Sequence, residues 1–551
     1  MGKLNDLWNE GIQGHVKASP GCEGRLELDM TAEKQWGLAW IERLTCTVCT
    51  YVSRHHKLFE GVRTGERGPE SAAINCAVQV ALTQTPIGND SFRKLLLAAN
   101  IPVPSTSSMH STGQYVQKHI VEANVSDMQA RTAQAKQIQT AREEQGMPFE
   151  ADGVYNIALY GGAGKTPMVP STQSCFTMAE QVTKKRQIVQ LNTKNKLCVR
   201  CRLHRRRHLT GQHPGKCTAT LAMQENIGNE EKRARECLEV LLEQGIEVSE
   251  LTTDGDSSIY RAAEAMYKEG KVKTKPVHYL DTRHLADNQR KKTKNARFSS
   301  VFMPGQTKKD RDSMQTRFAN DLAKRCEAEF AAWMSKCSGD ILSVKRNMTF
   351  CVPCIVKCYS GDHSDCYKAS QVCKGSSRRN WLALSTYLPR DFRVNPTSQD
   401  EQTLTACINY RLGQHILEKT RKSRNSQKVE AVNRSLRRSL PKNVTYSTSM
   451  EGRAHSAVYS VNNGPGDSII LLCQRVGCPI KPGTRVAKAL AALQRTAEYK
   501  RTYNRSLKMR IQRVRTRAYM YKLYDSRPVA ERKVQHYKKG KLFSDHTYAK
   551  L

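Results

Sequence analysis

Residues 245–256 read Gly-Ile-Glu-Val-Ser-Glu-Leu-Thr-Thr-Asp-Gly-Asp, and this stretch is the clearest indication of the fold class. The apolar spacing just before it predicts an amphipathic helix over 230–244, which Gly245 ends. Val, Ile, Leu and Thr over 246–253 then predict a strand that ends at Asp254. A helix followed at once by such a strand is the repeating unit of an α/β sheet.

The same alternation continues on both sides of this stretch. A helix is predicted over 257–267, and a strand over 277–280 stops before Asp281. Further strand patterns occur at 155–160 and 186–191. We therefore expect an α/β fold with a mixed sheet.

The charge balance indicates the partner. The 551 residues include 89 Lys and Arg against 51 Asp and Glu, which gives a formal net charge of +38. Such an excess favours a polyanion, and nucleic acid is the expected one. No apolar run of about 18 residues is present, so no membrane span is expected. The basic side chains expected to contact DNA are Arg205, Arg206, Arg207, Arg290, Lys291, Lys292, Arg505, Lys508, Arg510 and Arg513.

Carboxylates at strand ends suggest a catalytic metal site. Asp152 and Asp254 are each placed beside a predicted strand, and Glu430 lies on a later predicted helix. Acids at the ends of sheet strands point into the crevice where ligands bind. Three of them can hold two Mg²⁺ or Mn²⁺ ions, which activate water and stabilise the leaving oxygen. Asp256 stays open as an alternative second acid, because it is also a plausible N-cap for the next helix.

A cysteine and histidine cluster predicts a structural zinc site in the middle of the chain. Cys198 and Cys201 are two residues apart, and His213 and Cys217 follow after a short loop. This is the spacing of a four-ligand Zn²⁺ site. His204 and His208 are alternative ligands.

Two further clusters predict zinc sites. The first comprises Cys358, His363, Cys366 and Cys373, with Cys351 and Cys354 competing for a place. The second lies near the N-terminus and comprises Cys22, Cys46 and Cys49, with His55 or His56 as a possible fourth ligand. The glycine-rich stretch 161–166 does not fit a phosphate-binding loop, because Leu159 occupies the first required glycine position.

The order of these motifs resembles a known family. After the second acid the chain has Asp281-Thr-Arg-His284, and Glu430-Ala-Val-Asn433 follows later. This order resembles the transposases of Mutator-like elements, which have a catalytic core of three acids (DDE) on a ribonuclease H-like fold. Three phrases are similar to an animal branch of that family: residues 164–167, 253–257 and 361–364. The resemblance covers about residues 40 to 480.

The resemblance implies specific roles. Asp152, Asp254 and Glu430 would bind the catalytic metals. His284, in its motif with Asp281, would lie near the scissile phosphate and orient it. The implied partner is double-stranded DNA, in particular the terminal inverted repeats of a transposon. A homodimer or higher oligomer, a nuclear location and no membrane association are also implied.

The composition along the chain suggests six segments. We expect a Cys-rich zinc-type module (1–68), a helical DNA-binding or linker region (69–146) and a ribonuclease H-like core (147–305) with a zinc-type insert (195–220). These are followed by a helical insertion with a Cys/His cluster (306–420), the last core helix with its following segment (421–480) and a basic helical tail (481–551).

Three functions compete at this stage. The leading one is a DNA transposase with metal-dependent strand cleavage and transfer. The second is a domesticated, non-catalytic nuclear DNA-binding protein that retains the fold. The third is a ribonuclease or resolvase, which would not need so large an insertion or so basic a tail.

Overall fold

The computed structural model describes residues 2–526 apart from 66, 157–170, 207–212, 214–216, 256, 376–379 and 390. It divides into two compact units. Unit one comprises residues 1–278 and 426–498, and unit two comprises 279–425 and 499–551. The chain therefore passes from unit one to unit two at residue 279, returns to unit one at residue 426 and enters unit two again at residue 499.

The strands are short near the N-terminus and long in the central sheet. Their bounds are β1 (Leu26–Leu28), β2 (Lys34–Trp36), β3 (Ala39–Glu42), β4 (Leu44–Cys46), β5 (His56–Lys57), β6 (Gly61–Val62), β7 (Ser71–Ala72), β8 (Met147–Tyr155), β9 (Gln173–Glu180), β10 (Ile188–Asn195), β11 (Val248–Thr253) and β12 (Val277–Leu280).

Helices make up most of the rest. The bounds are α1 (Gly2–Ala18), α2 (Ala73–Thr83), α3 (Asn89–Ala98), α4 (Thr106–Thr140), α5 (Val199–Arg206), α6 (Glu230–Glu243), α7 (Ser258–Lys268), α8 (Thr282–Asn295), α9 (Lys308–Lys336), α10 (Ile341–Tyr359), α11 (Cys366–Ala369), α12 (Trp381–Leu384), α13 (Ser398–Leu412), α14 (Gln414–Thr420), α15 (Gln427–Ser439), α16 (Met450–Asn463), α17 (Asp467–Arg475), α18 (Arg485–Arg505) and α19 (Leu507–Ser526).

The central sheet is mixed, as the sequence predicts. Its strand order is β10-β9-β8-β11-β12. Strands β10, β9 and β8 pair antiparallel, whereas β11 pairs parallel to β8. A parallel neighbour requires a crossover connection, and α6 lies in the connection that leads into β11.

Two helix layers cover this sheet. On one side α6 and α7 bury apolar residues against it, including Leu238, Leu241 and Ile259. A second cluster joins β9 and β10 to α15, α16 and α4, and it contains Val429, Val432, Leu436, Ala454, Val458 and Met128. The helix α15 thus belongs to the core of unit one although it follows unit two in sequence.

Most element predictions around residue 250 are confirmed. Asn229 caps α6 by accepting a hydrogen bond from the amide of Lys232, and Gly245 follows the helix with a φ of 69°. The strand expected over 246–253 is β11, and the one expected over 277–280 is β12. The helix expected from Ser257 is α7.

The first strand begins earlier than the sequence pattern suggested. The sequence pattern suggested 155–160, whereas β8 covers Met147–Tyr155 and residues 157–160 lie outside the described residues. Asp152 therefore lies inside the strand instead of beside it. The first five residues of β8 are all buried, so they lack the alternation that marks a half-buried strand. The next expected strand, 186–191, is shifted to Ile188–Asn195.

Unit two is helical in the part between 279 and 425 that the structure describes. Its apolar core is formed by α9, α10 and α13 and contains Phe318, Leu322, Trp333, Ile355 and Leu404. The basic C-terminal helix expected around 495–517 is two helices, α18 and α19, which meet at Ser506. No described helix is long and apolar enough to cross a bilayer.

Candidate active site and metal-binding clusters

The strand β8 carries two acids that face α15. Glu150 Oε1 accepts a hydrogen bond of 3.1 Å from the amide of Val429, and Asp152 Oδ2 accepts one of 2.7 Å from Asn433 Nδ2. Residues two apart on a strand share a face of the sheet. The first two turns of α15 therefore lie over the face of β8 that bears Glu150 and Asp152.

Asp152 is held in one orientation by its neighbours. Its Oδ1 accepts a 2.8 Å hydrogen bond from the amide of Gly153, and its Oδ2 is the acceptor for Asn433. Carboxylate oxygens are ligands that Mg²⁺ and Mn²⁺ prefer, so Asp152 has the right chemistry for a divalent ion. The amide oxygen of Asn433 is buried and has no hydrogen-bond partner among the described residues. An oxygen acceptor of this kind beside a carboxylate suits a metal ion or its bound water.

Asp254 reaches the same end of the sheet from the adjacent strand. The parallel pairing of β8 and β11 places Thr252 opposite Glu150. Asp152 and Asp254 each lie two residues beyond this pair. Adjacent strands are about 4.8 Å apart, so the register brings the two aspartates to neighbouring positions. The competing acid, Asp256, lies outside the described residues.

Glu430 owes its position to the amphipathic character of α15. Val429, Val432 and Leu436 are buried in the core of unit one, which fixes the rotation of the helix. Glu430 lies in the first turn and is partly exposed. It precedes Asn433 by three residues, a spacing that puts both side chains on adjoining positions of a helix. The Glu-x-x-Asn motif thus places an acid next to the residue that binds Asp152.

Glu150 is a further acid of β8 to which sequence reasoning gave no role. It is fully buried and accepts hydrogen bonds from Gln181 and Val429, with Arg186 Nη1 at 3.3 Å. Burial raises the pKa of this carboxyl, and the bond from Gln181 and the charge of Arg186 oppose that rise. Its contacts make it an anchor between β8 and the start of α15.

Asp281 and His284 belong to unit two. Asp281 is buried and is the N-cap of α8, because its Oδ1 accepts hydrogen bonds from the amides of Arg283 and His284. The prediction that β12 ends just before Asp281 is correct. His284 lies in the first helical turn and is partly exposed. The Asp-x-x-His spacing therefore has a local structural reason in helix capping.

The middle zinc cluster is assembled in the structure. Cys198, Cys201, His213 and Cys217 each place a ligand atom within 4.8 Å of the others. Cys198 Sγ lies 3.3 Å from His213 Nε2, and Cys201 Sγ lies 3.5 Å from Cys217 Sγ. These four residues can hold zinc. Of the alternative ligands, His208 lies outside the described residues, and only the backbone of His204 is described.

The cluster in unit two is assembled as well. Cys358, His363, Cys366 and Cys373 form a group within 4.8 Å. His363 Nδ1 lies 3.4 Å from both Cys358 Sγ and Cys366 Sγ. Of the competing cysteines, Cys354 lies 3.8 Å from Cys366, while Cys351 packs in the apolar core.

The N-terminal cluster has a different fourth member from the one expected. The four grouped residues are His15, Cys22, Cys46 and Cys49. His56 Nδ1 lies 3.7 Å from Glu10 instead, and His55 is exposed. Neither is in the group, so the expectation for His55 or His56 is wrong. His15 was overlooked because it lies on α1, outside the cysteine-rich stretch.

Within each unit, we define a tight group as at least three His, Cys, Asp or Glu residues whose ligand atoms all lie within 4.8 Å of one another. Among the described residues, the three Cys/His groups meet this criterion. Asp152, Asp254 and Glu430 do not form a group that tight. None of the 19 cysteines, all of which lie in the described part of the chain, is in a disulfide.

The basic residues expected to contact DNA are mostly on helices. Lys508, Arg510 and Arg513 are exposed on α19, and Arg505 is exposed at the end of α18. In unit two, Lys292 on α8 lies 5.1 Å from the ring of Tyr410, and Lys291 is exposed. Arg290 pairs with Asp287. The side chains of Arg205 and Arg206, and all of Arg207, lie outside the described part.

The fold and its clusters describe an α/β protein with capacity for zinc and a strongly basic surface. Residues 1–373 match the family model of the Mutator-like transposases, so the chain belongs to that family. Transposases of this kind act on DNA and use divalent metals. No curated protein and no solved structure matches the chain.

Proposed function

We propose that this protein is a DNA transposase that cleaves and transfers DNA strands with divalent metal ions held by Asp152, Asp254 and Glu430. One observation carries the proposal: α15, the helix that contains Glu430, is hydrogen-bonded to Asp152 through Asn433. The helix lies 281 residues further along the chain, so this contact has no local cause.

The sheet order supports a ribonuclease H-like core. The first three strands of the sheet are antiparallel, and the fourth returns parallel to the first. Asp152 lies in the first strand, β8, and Asp254 directly follows the fourth strand, β11. A final helix, α15, supplies the glutamate. This is the arrangement that the family resemblance implies.

The donor set suits Mg²⁺ or Mn²⁺. Its members offer oxygen only: three carboxylates and the amide oxygen of Asn433, which has no hydrogen-bond partner within the described part of the chain. Two ions about 4 Å apart, with bonds of about 2.1 Å, span ligand atoms up to roughly 8 Å from one another. A two-ion site therefore does not require the acids to lie within hydrogen-bonding distance of each other.

We assign a role in the reaction to each residue of the proposed site. Asp152, Asp254 and Glu430 would hold the ions, whose chemistry would be to activate the attacking water or 3′ hydroxyl and to stabilise the leaving 3′ oxygen. Asp152 holds its carboxylate toward α15, and Asn433 fixes that orientation. Asp254 offers a carboxylate at the end of the adjacent strand. His284, placed by the N-cap Asp281, orients the scissile phosphate, a role that the family motif suggests.

The clusters and the basic helices serve binding. We propose structural Zn²⁺ at the groups of Cys198 and Cys358, which rigidify the segments around them. The basic residues of α8, α18 and α19 contact phosphates of double-stranded DNA. The substrate is the terminal inverted repeat of the element, and the protein acts as a homodimer or larger assembly in the nucleus.

The competing function is a domesticated DNA-binding protein that keeps the fold without catalysis. A binding protein has no use for three acids and their supporting contacts, because carboxylates repel phosphate. The presence of Asp152, Asp254 and Glu430 favours the enzyme. Cleavage decides between the two.

The test is nicking of a labelled duplex that carries the ends of the element, with Mn²⁺ or Mg²⁺ and with a chelator. Wild-type protein cuts in the presence of metal. Asp152→Asn abolishes cutting while DNA affinity stays equal or rises slightly, because the change removes a negative charge but destroys the anionic ligand. Wild-type protein that binds DNA but never cuts would establish the non-catalytic alternative.

A further inference from the structure

The N-terminal module (residues 2–65) contains a metal site that depends on its first helix. His15 lies on α1, whereas Cys22, Cys46 and Cys49 lie in the segments that follow. We propose that these four residues bind one structural Zn²⁺ and that His15 is its nitrogen ligand. The site fastens α1 to the short strands of the module.

The distances match a zinc tetrahedron. Bonds of about 2.3 Å to sulfur and about 2.0 Å to nitrogen give an S–S edge of roughly 3.8 Å and an S–N edge of roughly 3.5 Å. Cys22 Sγ lies 3.8 Å from Cys46 Sγ, which equals the S–S edge, and His15 Nε2 lies 3.2 Å from Cys49 Sγ, which is slightly shorter than the S–N edge. A disulfide would need about 2.05 Å between the sulfurs. The separation therefore fits shared ligation and not a Cys22–Cys46 bond.

The backbone around the sulfurs is arranged for thiolates. The amides of Val48 and Cys49 both donate to Cys46 Sγ at 3.4 Å, and the amide of Gly24 donates to Cys22 Sγ at 3.4 Å. Such donors stabilise a negatively charged sulfur. A Cβ added at Gly24 would lie 2.4 Å from Cys46 Sγ, so glycine is needed where the two cysteine loops meet.

The helix α1 is packed closely enough to hold its histidine in place. His15 is 6% exposed, and its ring lies 5.3 Å from that of Tyr51. A Cβ at Gly11 would lie 2.4 Å from Leu44, and one at Gly14 would lie 2.2 Å from the Tyr51 hydroxyl. Two glycines on one side of α1 thus allow the close approach that brings His15 to the cysteines.

The site is closed and is not built for phosphate binding. Four protein ligands leave no open position, which is the mark of a structural zinc. Residues 1–65 contain 8 Lys and Arg and 8 Asp and Glu, so the module is neutral in a chain of net charge +38. Loss of this zinc should release α1 without weakening the charge-driven attraction to DNA.

The experiment measures zinc per chain in the purified full-length protein by mass spectrometry. His15→Ala should contain one zinc fewer than wild type. His56→Ala is the matched control and should contain the wild-type number. His15→Cys should restore the lost zinc, because four thiolates also form a structural site. Trypsin should cleave after Lys17 or Arg25 faster in His15→Ala than in wild type and in His56→Ala.

Two outcomes would overturn the inference: wild-type zinc content in His15→Ala, or loss of a zinc in His56→Ala. If His15→Ala does not fold, Co²⁺-loaded His15→Cys decides the matter. Its visible spectrum should shift from that of a three-sulfur, one-nitrogen site to that of a four-sulfur site, and an unchanged spectrum would exclude His15. None of these readings depends on DNA cleavage, so they stand apart from the proposed transposase activity.

Discussion

Asn433 links the helix of Glu430 to the strand of Asp152. Its amide nitrogen donates to Asp152, while its amide oxygen stays buried without a partner in the described part of the chain. A buried acceptor without a hydrogen bond costs about 1 to 3 kcal/mol. A bound metal or its water would remove that cost. Asn433 is therefore a positioning residue for the proposed site.

Asn433→Ala should raise the Mn²⁺ concentration needed for half-maximal cleavage by about tenfold or more, as removal of a group that orients a metal ligand does. Titration of Mn²⁺ in the nicking assay measures the shift. Ser435→Ala, on the same helix, is the control and should change nothing. DNA affinity should be unaltered in both variants. An unchanged Mn²⁺ requirement in Asn433→Ala would remove the residue from the site.

His455 gives unit one a dependence on pH. It is buried on α16, and its Nδ1 lies 3.0 Å from Asn124 Nδ2 on α4. Burial lowers the pKa of this histidine to about 4 from the usual 6.5. The folded state therefore binds the proton less tightly than the unfolded state. Its contribution to stability is complete above about pH 6.5 and falls as the pH drops toward 4.

Between pH 7 and pH 5, this one residue should cost the folded state on the order of 2 kcal/mol. His455→Gln keeps a polar partner for Asn124 but does not titrate. Its loss of stability between the two pH values should be smaller than that of wild type by about this amount. Urea unfolding at both pH values measures the difference. Equal losses would show that His455 is not buried as a neutral group.

At the scale of elements, the pattern of burial along each helix or strand explains which of them the sequence predicts and which it does not. The strand β11 and the helices α6 and α7 are predicted because each has a clear apolar period. The strand β9 was not predicted, because all eight of its residues are buried and no alternation marks it. The contacts of Glu150 were not predicted for a similar reason, since it lies in the part of β8 where every residue is buried and no alternation separates the two faces.

The helix α9 carries a buried ion pair on which unit two depends. Arg325 and Glu329 are fully buried and 2.9 Å apart. Arg325 also donates to Ser370 and lies 3.9 Å from Cys358 Sγ in the metal-binding cluster. The pair thus connects α9 with the segment that holds the cluster. Arg325 and Glu329 stabilise the fold only as a pair, because either charge alone would be buried without an opposite charge.

Arg325→Met should destabilise unit two by about 3 to 5 kcal/mol, because it leaves the carboxylate of Glu329 buried and unpaired. The double variant Arg325→Met with Glu329→Met should be less destabilised than the single one. Thermal unfolding of the two variants and wild type compares them. If the double variant is no more stable than the single one, the charge of Glu329 is not the cause.

At the scale of the whole molecule, charge and metal sites were easier to predict than the division of the chain. Cysteine spacing predicted the clusters of Cys198 and Cys358, which the structure assembles, since their ligands are close in sequence. His15 was missed because its helix bears no cysteine. A helical insertion followed by a last core helix was expected, and α15 packs in the core of unit one after the excursion through residues 279–425. The start of unit two at residue 279 was not expected, because no local pattern marks it.

The excess positive charge lies entirely beyond the N-terminal module, since residues 1–65 are neutral and the chain carries +38. Four basic residues on α19 are exposed and are candidate phosphate-binding residues: Lys508, Arg510, Arg513 and Arg515. Each phosphate contact contributes about −0.9 to the slope of log affinity against log salt concentration. About six contacts in the wild-type protein would therefore give a slope near −5.

Replacing these four residues by Gln should make the slope less steep by up to about 3.6, because four phosphate contacts are lost. Fluorescence anisotropy with a labelled duplex between about 50 and 200 mM salt measures the slope. Replacing Lys3, Lys17 and Lys34 of the neutral module by Gln is the control and should leave it unchanged. If both sets leave the slope unchanged, α19 does not contact DNA and the phosphates are bound elsewhere. If the control alone flattens it, the N-terminal module is the DNA-binding surface.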